Sequence, residues 1–152
     1  MVVEAGIGGM FAAQLALVFA AAFAGAAIFV NVAEQPARLA LANPALLLEW
    51  QRSYHRAAPM QGGLALISAL LGFLAAWQLR DLRCVVGALL IFANWPYTIL
   101  AIKPTNDRLH AIKPEVANAD TRQSIVAWGH LHAGRSLLGM AATLVFLWAV
   151  AA

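Results

Sequence analysis

Long apolar runs separated by short polar segments dominate the pattern of this 152-residue chain. Four of these runs contain no charged residue, and the last of them begins directly after Arg135. A helix needs roughly 17 to 25 apolar residues to cross a bilayer, and such runs fold as helices because lipid offers no partner to a free backbone group. The pattern therefore predicts four transmembrane helices, near residues 6–34, 57–79, 84–103 and 125–150.

Four spans with short connections are typical of an up-down four-helix bundle, which places both ends of the chain on the same side of the membrane. The connection between the first two spans, residues 35–56, is itself expected to be partly helical. Asn43 and Pro44 provide a helix cap followed by proline at the first helical position. Beyond them, Trp50 and Tyr54 share one face, so we expect an interfacial helical segment along the membrane surface. The predicted fold class is an all-α integral membrane bundle.

Composition agrees with this class and excludes several others. The chain is 62% hydrophobic and only 11% charged, with a mean hydropathy of +0.75, whereas soluble domains carry about 25% charged residues. We expect one transmembrane domain, residues 1–152, integral to a membrane and, in a bacterium, to the cell inner membrane. The net charge of +3 comes from scattered basic residues, which does not indicate nucleic acid binding. The single Cys84 excludes an internal disulfide and a cysteine-based metal cluster.

Lysine and arginine residues are unevenly divided between the two ends of the predicted bundle. Most lie in the connections 35–56 and 103–127, whereas the turn between the second and third spans holds only Arg80 and Arg83. The positive-inside rule then places the end with the long connections in the cytoplasm. The first span is not expected to be a removable signal peptide, since it lacks a basic leader and its apolar run is too long.

Candidate chemistry is concentrated where the fourth helix meets the lipid. Trp128, His132 and Arg135 stand at i, i+4 and i+7, which places their side chains on one stripe of a helix. Ionisable groups at this depth are expensive and usually indicate a functional site. The structural alternative is that Arg135 extends to the lipid headgroups and His132 is an ordinary interfacial residue.

The end of the first span carries a second polar stripe. The stripe is formed by residues at i, i+3, i+4 and i+7, namely Asn31, Glu34, Gln35 and Arg38. Pro36 disrupts the helix within this stripe. Polar residues also occur where helices simply leave the bilayer. Asn31 favours a functional interpretation, because its amide lies inside the span and has no evident capping role.

Further polar and aromatic side chains lie toward the same end of the bundle, while the middles of the spans are apolar. A channel or transporter would need polar groups through the midplane. The distribution instead predicts a one-sided polar pocket above an apolar floor, suited to a lipophilic molecule that arrives from the bilayer. The additional residues are Tyr54, His55, Asn94, Trp95, Tyr97 and Asn106.

Three motifs carry a resemblance to a known family. They are Asn31-Val-Ala-Glu-Gln-Pro-Ala-Arg38, then Pro104-Thr-Asn106 followed by Leu109, and Trp128-xxx-His132-xx-Arg135. Together they resemble the anthrone oxygenase-like family of four-span membrane proteins, many of unknown function, over nearly the whole chain. The resemblance implies oxidation of a lipophilic polyketide anthrone to an anthraquinone by O₂, without an established cofactor.

Such a reaction needs a base, a cation for the developing oxyanion and a dry aromatic pocket. His132 is the best candidate base, because the ordinary pKa of an imidazole is about 6.5. Arg135 is the natural oxyanion partner, with Asn106 or Asn31 as further donors. Glu34 could orient His132, pair with Arg135 or act as the base. The expected substrate contacts are Trp128, Trp95, Tyr97, Asn94, Tyr54 and His55.

Two alternatives stay open at this level. A metal site is the first, although no close His-x₃-His pair supports it. Its candidate ligands are Glu34, His55 and His132, joined by His110 or His130. The second is a membrane module that binds a quinone, a lipid or a partner helix without chemistry. In that case Ala21-xxx-Gly25 would form a close-packing face for a homo-oligomer.

Overall fold

A computed structural model of the chain describes residues 2–151, with side chains from Gly6 onward. Four long helices account for nearly all of them, and each is long and apolar enough to cross a membrane. The all-α integral membrane fold predicted from the sequence is therefore confirmed. The helices are α1 (Val2–Phe29, Val30–Glu34 and Gln35–Leu39), α2 (Asn43–Leu79), α3 (Leu82–Phe92, Asn94–Tyr97, Thr98–Ile102 and Lys103–Ala111) and α4 (Ala119–Ala151).

The helices form a bundle in which each packs mainly against two neighbours. α1 and α3 both contact α2 and α4 extensively, whereas the diagonal pairs touch only slightly. Short connections join α1 to α2 and α2 to α3, and a single 3₁₀ turn, Pro114–Val116, lies between α3 and α4. This is the up-down arrangement expected for four consecutive spans.

Small residues bring the helices close together in the middle of the bundle. The core there consists mostly of alanine, into which Phe23 and Phe146 insert. A methyl group added at Gly72 would lie 2.6 Å from the Phe146 ring, and one at Gly87 would lie 2.8 Å from it. The two glycines therefore form the slot for Phe146, because no larger residue fits there. Close approach between small residues is the usual basis of helix packing in lipid.

All four helices are longer than their predicted spans, and α1 continues past residue 34 to Leu39. The segment predicted between the first two spans is helical, and it is continuous with α2, which runs from Asn43 through Pro59 to Leu79. α3 continues to Ala111, and α4 begins at Ala119, where the Asn118 side chain accepts hydrogen bonds from the first turn. Hydropathy detects only the part of a helix that lies in lipid, so the predicted spans stop short of these polar extensions.

Both α1 and α3 contain a widened, π-helical turn at the same end of the bundle. The turns are Val30–Glu34 and Thr98–Ile102, and each lies just before a proline, Pro36 or Pro104. Proline has no N–H and its ring displaces the carbonyl four residues earlier, so the helix widens there to keep its other hydrogen bonds. The disruption that Pro36 causes in α1 is therefore a widening of the helix and not its end.

Two further features, a pair of small residues on α1 and the cap of α3, lie away from the end with the widened turns. Ala21 and Gly25 are exposed on the outer surface of α1, and a methyl group at Gly25 would contact nothing within 4 Å. A role for them in a homo-oligomer stays a prediction. At the opposite end of the bundle, Asp81 caps α3 by accepting a 2.8 Å hydrogen bond from the Arg83 amide.

Candidate functional site

Buried polar side chains gather at the end of the bundle that holds the two widened turns. This polar end comprises α1 from Val30 onward, α3 from Asn94 onward, and the first halves of α2 and α4. It contains His132 and Arg135, which are 2% and 7% exposed. The other buried polar residues here are Gln35, Arg38, Gln61, Asn94, Asn106, Thr121 and Ser136. Side chains from all four helices therefore contribute to one region, as the sequence distribution predicts.

The amide of Asn31 fixes the protonation pattern of the His132 ring. Asn31 Nδ2 donates a 2.8 Å hydrogen bond to the carbonyl oxygen of Gly129. A carbonyl can only accept, so Asn31 Oδ1 must be the atom that faces His132 Nδ1 at 3.0 Å, where it also accepts from Ser136 Oγ at 2.8 Å. Nδ1 therefore carries the ring proton, and Nε2 of the neutral imidazole keeps its lone pair.

Glu34 pairs with Arg38 and not with His132 or Arg135. Glu34 and Arg38 are four residues apart, so they lie on one face of α1, and their side chains form an ion pair. Arg38 is 3% exposed and also donates to Ser53 Oγ at 3.0 Å. Its Nε lies 2.9 Å from Glu49 Oε2, which is an ion-pair distance with poor hydrogen-bond alignment. Both carboxylates are thus committed to Arg38 at the solvent side of the site.

Arg135 has no such partner among the described residues. No ion pair or hydrogen bond there involves its guanidinium, and its Nε is buried without an acceptor. Its nearest stabilising contact is the ring of Phe23, whose centroid lies 5.3 Å from Cζ. A buried charge without a partner is strongly unfavourable. The site therefore presents a positive charge that is available to an anionic ligand.

A chain of two hydrogen bonds links Trp128, Asn106 and Tyr54. Trp128 Nε1 donates to Asn106 Oδ1 at 2.8 Å, and Asn106 Nδ2 donates to Tyr54 Oη at 2.8 Å. The oxygen and the nitrogen of the Asn106 amide each make a hydrogen bond, so Asn106 holds its two neighbouring side chains in place. Trp50 is fully buried and stacks on Tyr54, with ring centroids 5.1 Å apart.

Two cavities meet at Arg135. The smaller one has a volume of about 20 Å³ and the larger about 140 Å³. The larger lies between α2 and α3, and its volume is below the roughly 300–1,000 Å³ typical of ligand pockets. Tyr54, Ala58 and Arg135 line both. The small cavity is also lined by Glu34, Arg38, Gln61, Trp128 and His132, and the larger by Gly62, Asn94, Trp95, Thr98 and Ile99.

Two predicted substrate contacts lie away from both cavities. Tyr97 Oη donates a 2.8 Å hydrogen bond to the Leu131 carbonyl and packs on Gly134, so it joins α3 to α4. His55 is exposed on the outer surface of α2. Helical spacing identified their end of the bundle correctly but could not give the rotation of each helix about its own axis.

The proposed metal ligands are not gathered into one site. Within residues 2–151, the structure contains no group of three or more His, Cys, Asp or Glu side chains arranged to share a metal ion. His110 packs against Trp50, with ring centroids 5.0 Å apart. His130 is exposed beside a groove between α1 and α4. The histidine–carboxylate alternative therefore has no geometric support.

Sequence reasoning overlooked Gln61 and placed Gln35 in the polar stripe of the first span without assigning it a contact. Gln61 is 2% exposed, its Oε1 has no partner, and it lines the small cavity. An amide inside the second apolar run was the available signal. Gln35 Nε2 donates to the Ile125 carbonyl at 2.8 Å and lies where a side chain on Gly129 would clash, at 2.7 Å. Gly129 is therefore required for α1 to approach α4.

Comparison with known proteins identifies the family of this chain. A family model described as "Anthrone oxygenase" matches residues 50–145, which include Tyr54, His132 and Arg135 but not Asn31. An anthrone oxygenase from Claviceps purpurea (strain 20.1) is 32% identical over 113 residues. That alignment covers 66% of this chain and 64% of the fungal protein's length. No solved structure matches. The chain belongs to the anthrone oxygenase family.

Proposed function

We propose that this protein oxidises a lipophilic aryl ketone of the anthrone type with O₂ inside the membrane. The observation that supports this proposal most directly is the unpaired, buried guanidinium of Arg135. It lies at the wall of an apolar cavity, one turn beyond His132. A substrate that becomes an oxyanion during the reaction supplies the missing negative charge. Membership of the anthrone oxygenase family supports the same chemistry.

The first step is removal of a proton from carbon. An anthrone has a C–H flanked by two rings and acidified by the carbonyl across the central ring. His132 Nε2 accepts this proton, because Asn31 keeps the ring hydrogen on Nδ1. The electron pair of the broken C–H bond moves onto the carbonyl oxygen, where Arg135 stabilises the negative charge.

The second stage is oxidation of the anion by O₂. The anthrolate passes one electron to O₂, and the resulting radical and superoxide combine to form a C–O bond. The peroxide takes up the proton held by His132. Loss of the second C–H proton, with cleavage of the O–O bond, then releases water and gives the quinone. One anthrone and one O₂ yield one anthraquinone and one water, so no further oxidant is required.

Access from the bilayer is favoured by the position of the larger cavity. Trp95, 41% exposed, and Ile99 lie on the outer surface beside it. The Trp95 indole is held only by a long 3.3 Å hydrogen bond to the Gly62 carbonyl. A three-ring substrate enters when this indole moves outward. Movement of Arg135 toward the substrate oxygen then joins the larger cavity to the one that contains His132.

The test uses the purified protein in lipid nanodiscs with anthrone as the substrate. We expect anthraquinone to form faster than with empty nanodiscs, with one O₂ consumed per anthrone. His132→Gln should reduce this rate about 100-fold or more, as expected for loss of a general base. Ser68→Ala removes a buried hydrogen bond to Ala16 in the mid-bundle and serves as the control. Binding of anthrone without any accelerated oxidation would contradict the proposal and favour a binding module.

A further inference from the structure

The hydroxyl of Tyr54 is left with a free proton by its neighbours. An indole N–H can only donate, so Asn106 must turn its oxygen toward Trp128 and its NH₂ toward Tyr54. Tyr54 Oη is therefore the acceptor of that bond. No acceptor for the Tyr54 O–H is found among the described residues, so its proton is available to another molecule.

Tyr54 lines the same two cavities as the unpaired guanidinium. Tyr54 and Arg135 line both cavities, and the Tyr54 ring is held nearly parallel to Trp50, at an interplanar angle of 14°. The ring cannot turn freely, because Trp50 is fully buried against it. A rigid donor and an unpaired cation thus face the same space, an arrangement suited to one oxygen atom that carries negative charge.

We propose that Tyr54 is a catalytic residue whose hydroxyl donates a hydrogen bond to the substrate enolate oxygen, alongside the Arg135 guanidinium. This inference rests on the proposed function and specifies its substrate class: flat aryl ketones whose carbonyl oxygen is unobstructed. Asn106 and Trp128 are positioning residues, because they act on the substrate only through the orientation of Tyr54.

The first test compares the two tyrosines of the chain. Tyr54→Phe keeps the stacked ring and removes only the donor, so we expect kcat for anthrone oxidation to fall about 100-fold. Tyr97→Phe removes a phenol hydrogen bond of similar length, to Leu131, away from both cavities. It should keep kcat within a few-fold of the unaltered protein. Equal activity of the two variants would overturn the proposal.

The second test does not depend on turnover. The probe is 2-hydroxyanthraquinone, whose phenolate absorbs at longer wavelength than its phenol. Bound to the unaltered protein, its apparent pKa should be lowered by the two donors. Tyr54→Phe should raise that pKa by about one unit, which corresponds to a tenfold loss of phenolate stabilisation, and Tyr97→Phe should not change it. No difference between the two variants would contradict the role of Tyr54.

A third measurement applies even if Tyr54→Phe fails to fold. In the Tyr97→Phe protein, 3-fluorotyrosine labels Tyr54 alone, because the chain has two tyrosines. Its ¹⁹F resonance should shift as bound 2-hydroxyanthraquinone ionises, and a resonance insensitive to that ionisation would overturn the proposal. Failure of the unaltered protein to oxidise anthrone would remove the proposed function. The probe and fluorine measurements would still decide whether Tyr54 donates to an oxyanion.

Discussion

The polar end and the mid-bundle follow opposite packing rules. In the mid-bundle, the buried hydroxyl of Ser68 is paired, and alanine and glycine pack closely around Phe146. At the polar end, several buried atoms have no partner among the described residues. They include Gln61 Oε1, Asn94 Oδ1, Trp50 Nε1 and Arg135 Nε. Unpaired buried polar groups lower stability, so a region that keeps them gives up stability in favour of another property.

The largest expected effect comes from the unpaired cation. Arg135→Met should lower anthrone oxidation about 1,000-fold, or about 4 kcal/mol in the barrier, because the oxyanion loses its charged partner. The same change should leave stability unchanged or raise it, since a buried charge is replaced by an apolar side chain. Turnover and unfolding in mixed detergent are measured on the same preparation. A large loss of stability would mean that Arg135 is mainly structural.

Removal of the group that orients His132 should have the next largest effect. Asn31→Leu removes the acceptor at Nδ1, so the ring proton can occupy Nε2 and block the base. We expect kcat to fall about 100-fold, equivalent to about 2.7 kcal/mol. Ring nitrogen chemical shifts in ¹⁵N-labelled protein report the tautomer directly. Unaltered shifts together with full activity would contradict this role for Asn31.

A change in the mid-bundle should act on stability alone. Gly87→Ala places a methyl group 2.8 Å from the Phe146 ring, and overpacking of this kind destabilises a protein by about 1–3 kcal/mol. Gly25→Ala meets nothing within 4 Å and is the matched control, expected to be neutral or slightly stabilising. Turnover per folded molecule should stay constant in both. Reduced turnover in folded Gly87→Ala would show that the two regions are coupled.

The turn before α3 should show the smallest effect. Hydrogen bonds from Arg83 hold the pKa of Asp81 below its usual range. A lowered folded pKa stabilises the protein above the unfolded value of about 3.9, and this contribution is lost as pH falls through the folded pKa. Because the Asp81 and Arg83 side chains are partly exposed, at 18% and 27%, screening limits the contribution to about 0.3–1 kcal/mol. Unfolding from pH 6 to pH 2 should therefore depend less on pH in Asp81→Asn.

The outline of the fold was readable from the sequence because lipid imposes a simple rule on apolar runs. The location of the site was readable too, since Asn31, His132 and Arg135 lie at corresponding depths in different spans. The contacts of the individual side chains were not readable from the sequence. Glu34 was assigned to His132 or Arg135 and pairs with Arg38, while Tyr97 faces α4 instead of a cavity. Sequence spacing shows which residues share a face of one helix. Which neighbouring helix that face contacts depends on how the helices pack.

The widened turns before Pro36 and Pro104 change the faces of the residues that follow them. Such a turn holds one residue more than a regular helix, so every later side chain is rotated by about 100°. Heptad-style projection of α1 or α3 therefore fails from this point onward. Deleting one residue from Val30–Glu34 would restore an even helix and swing Gln35 and Arg38 away from α4 and α2. In this chain, one extra residue in α1 and one in α3 set the direction in which the side chains beyond each widened turn point.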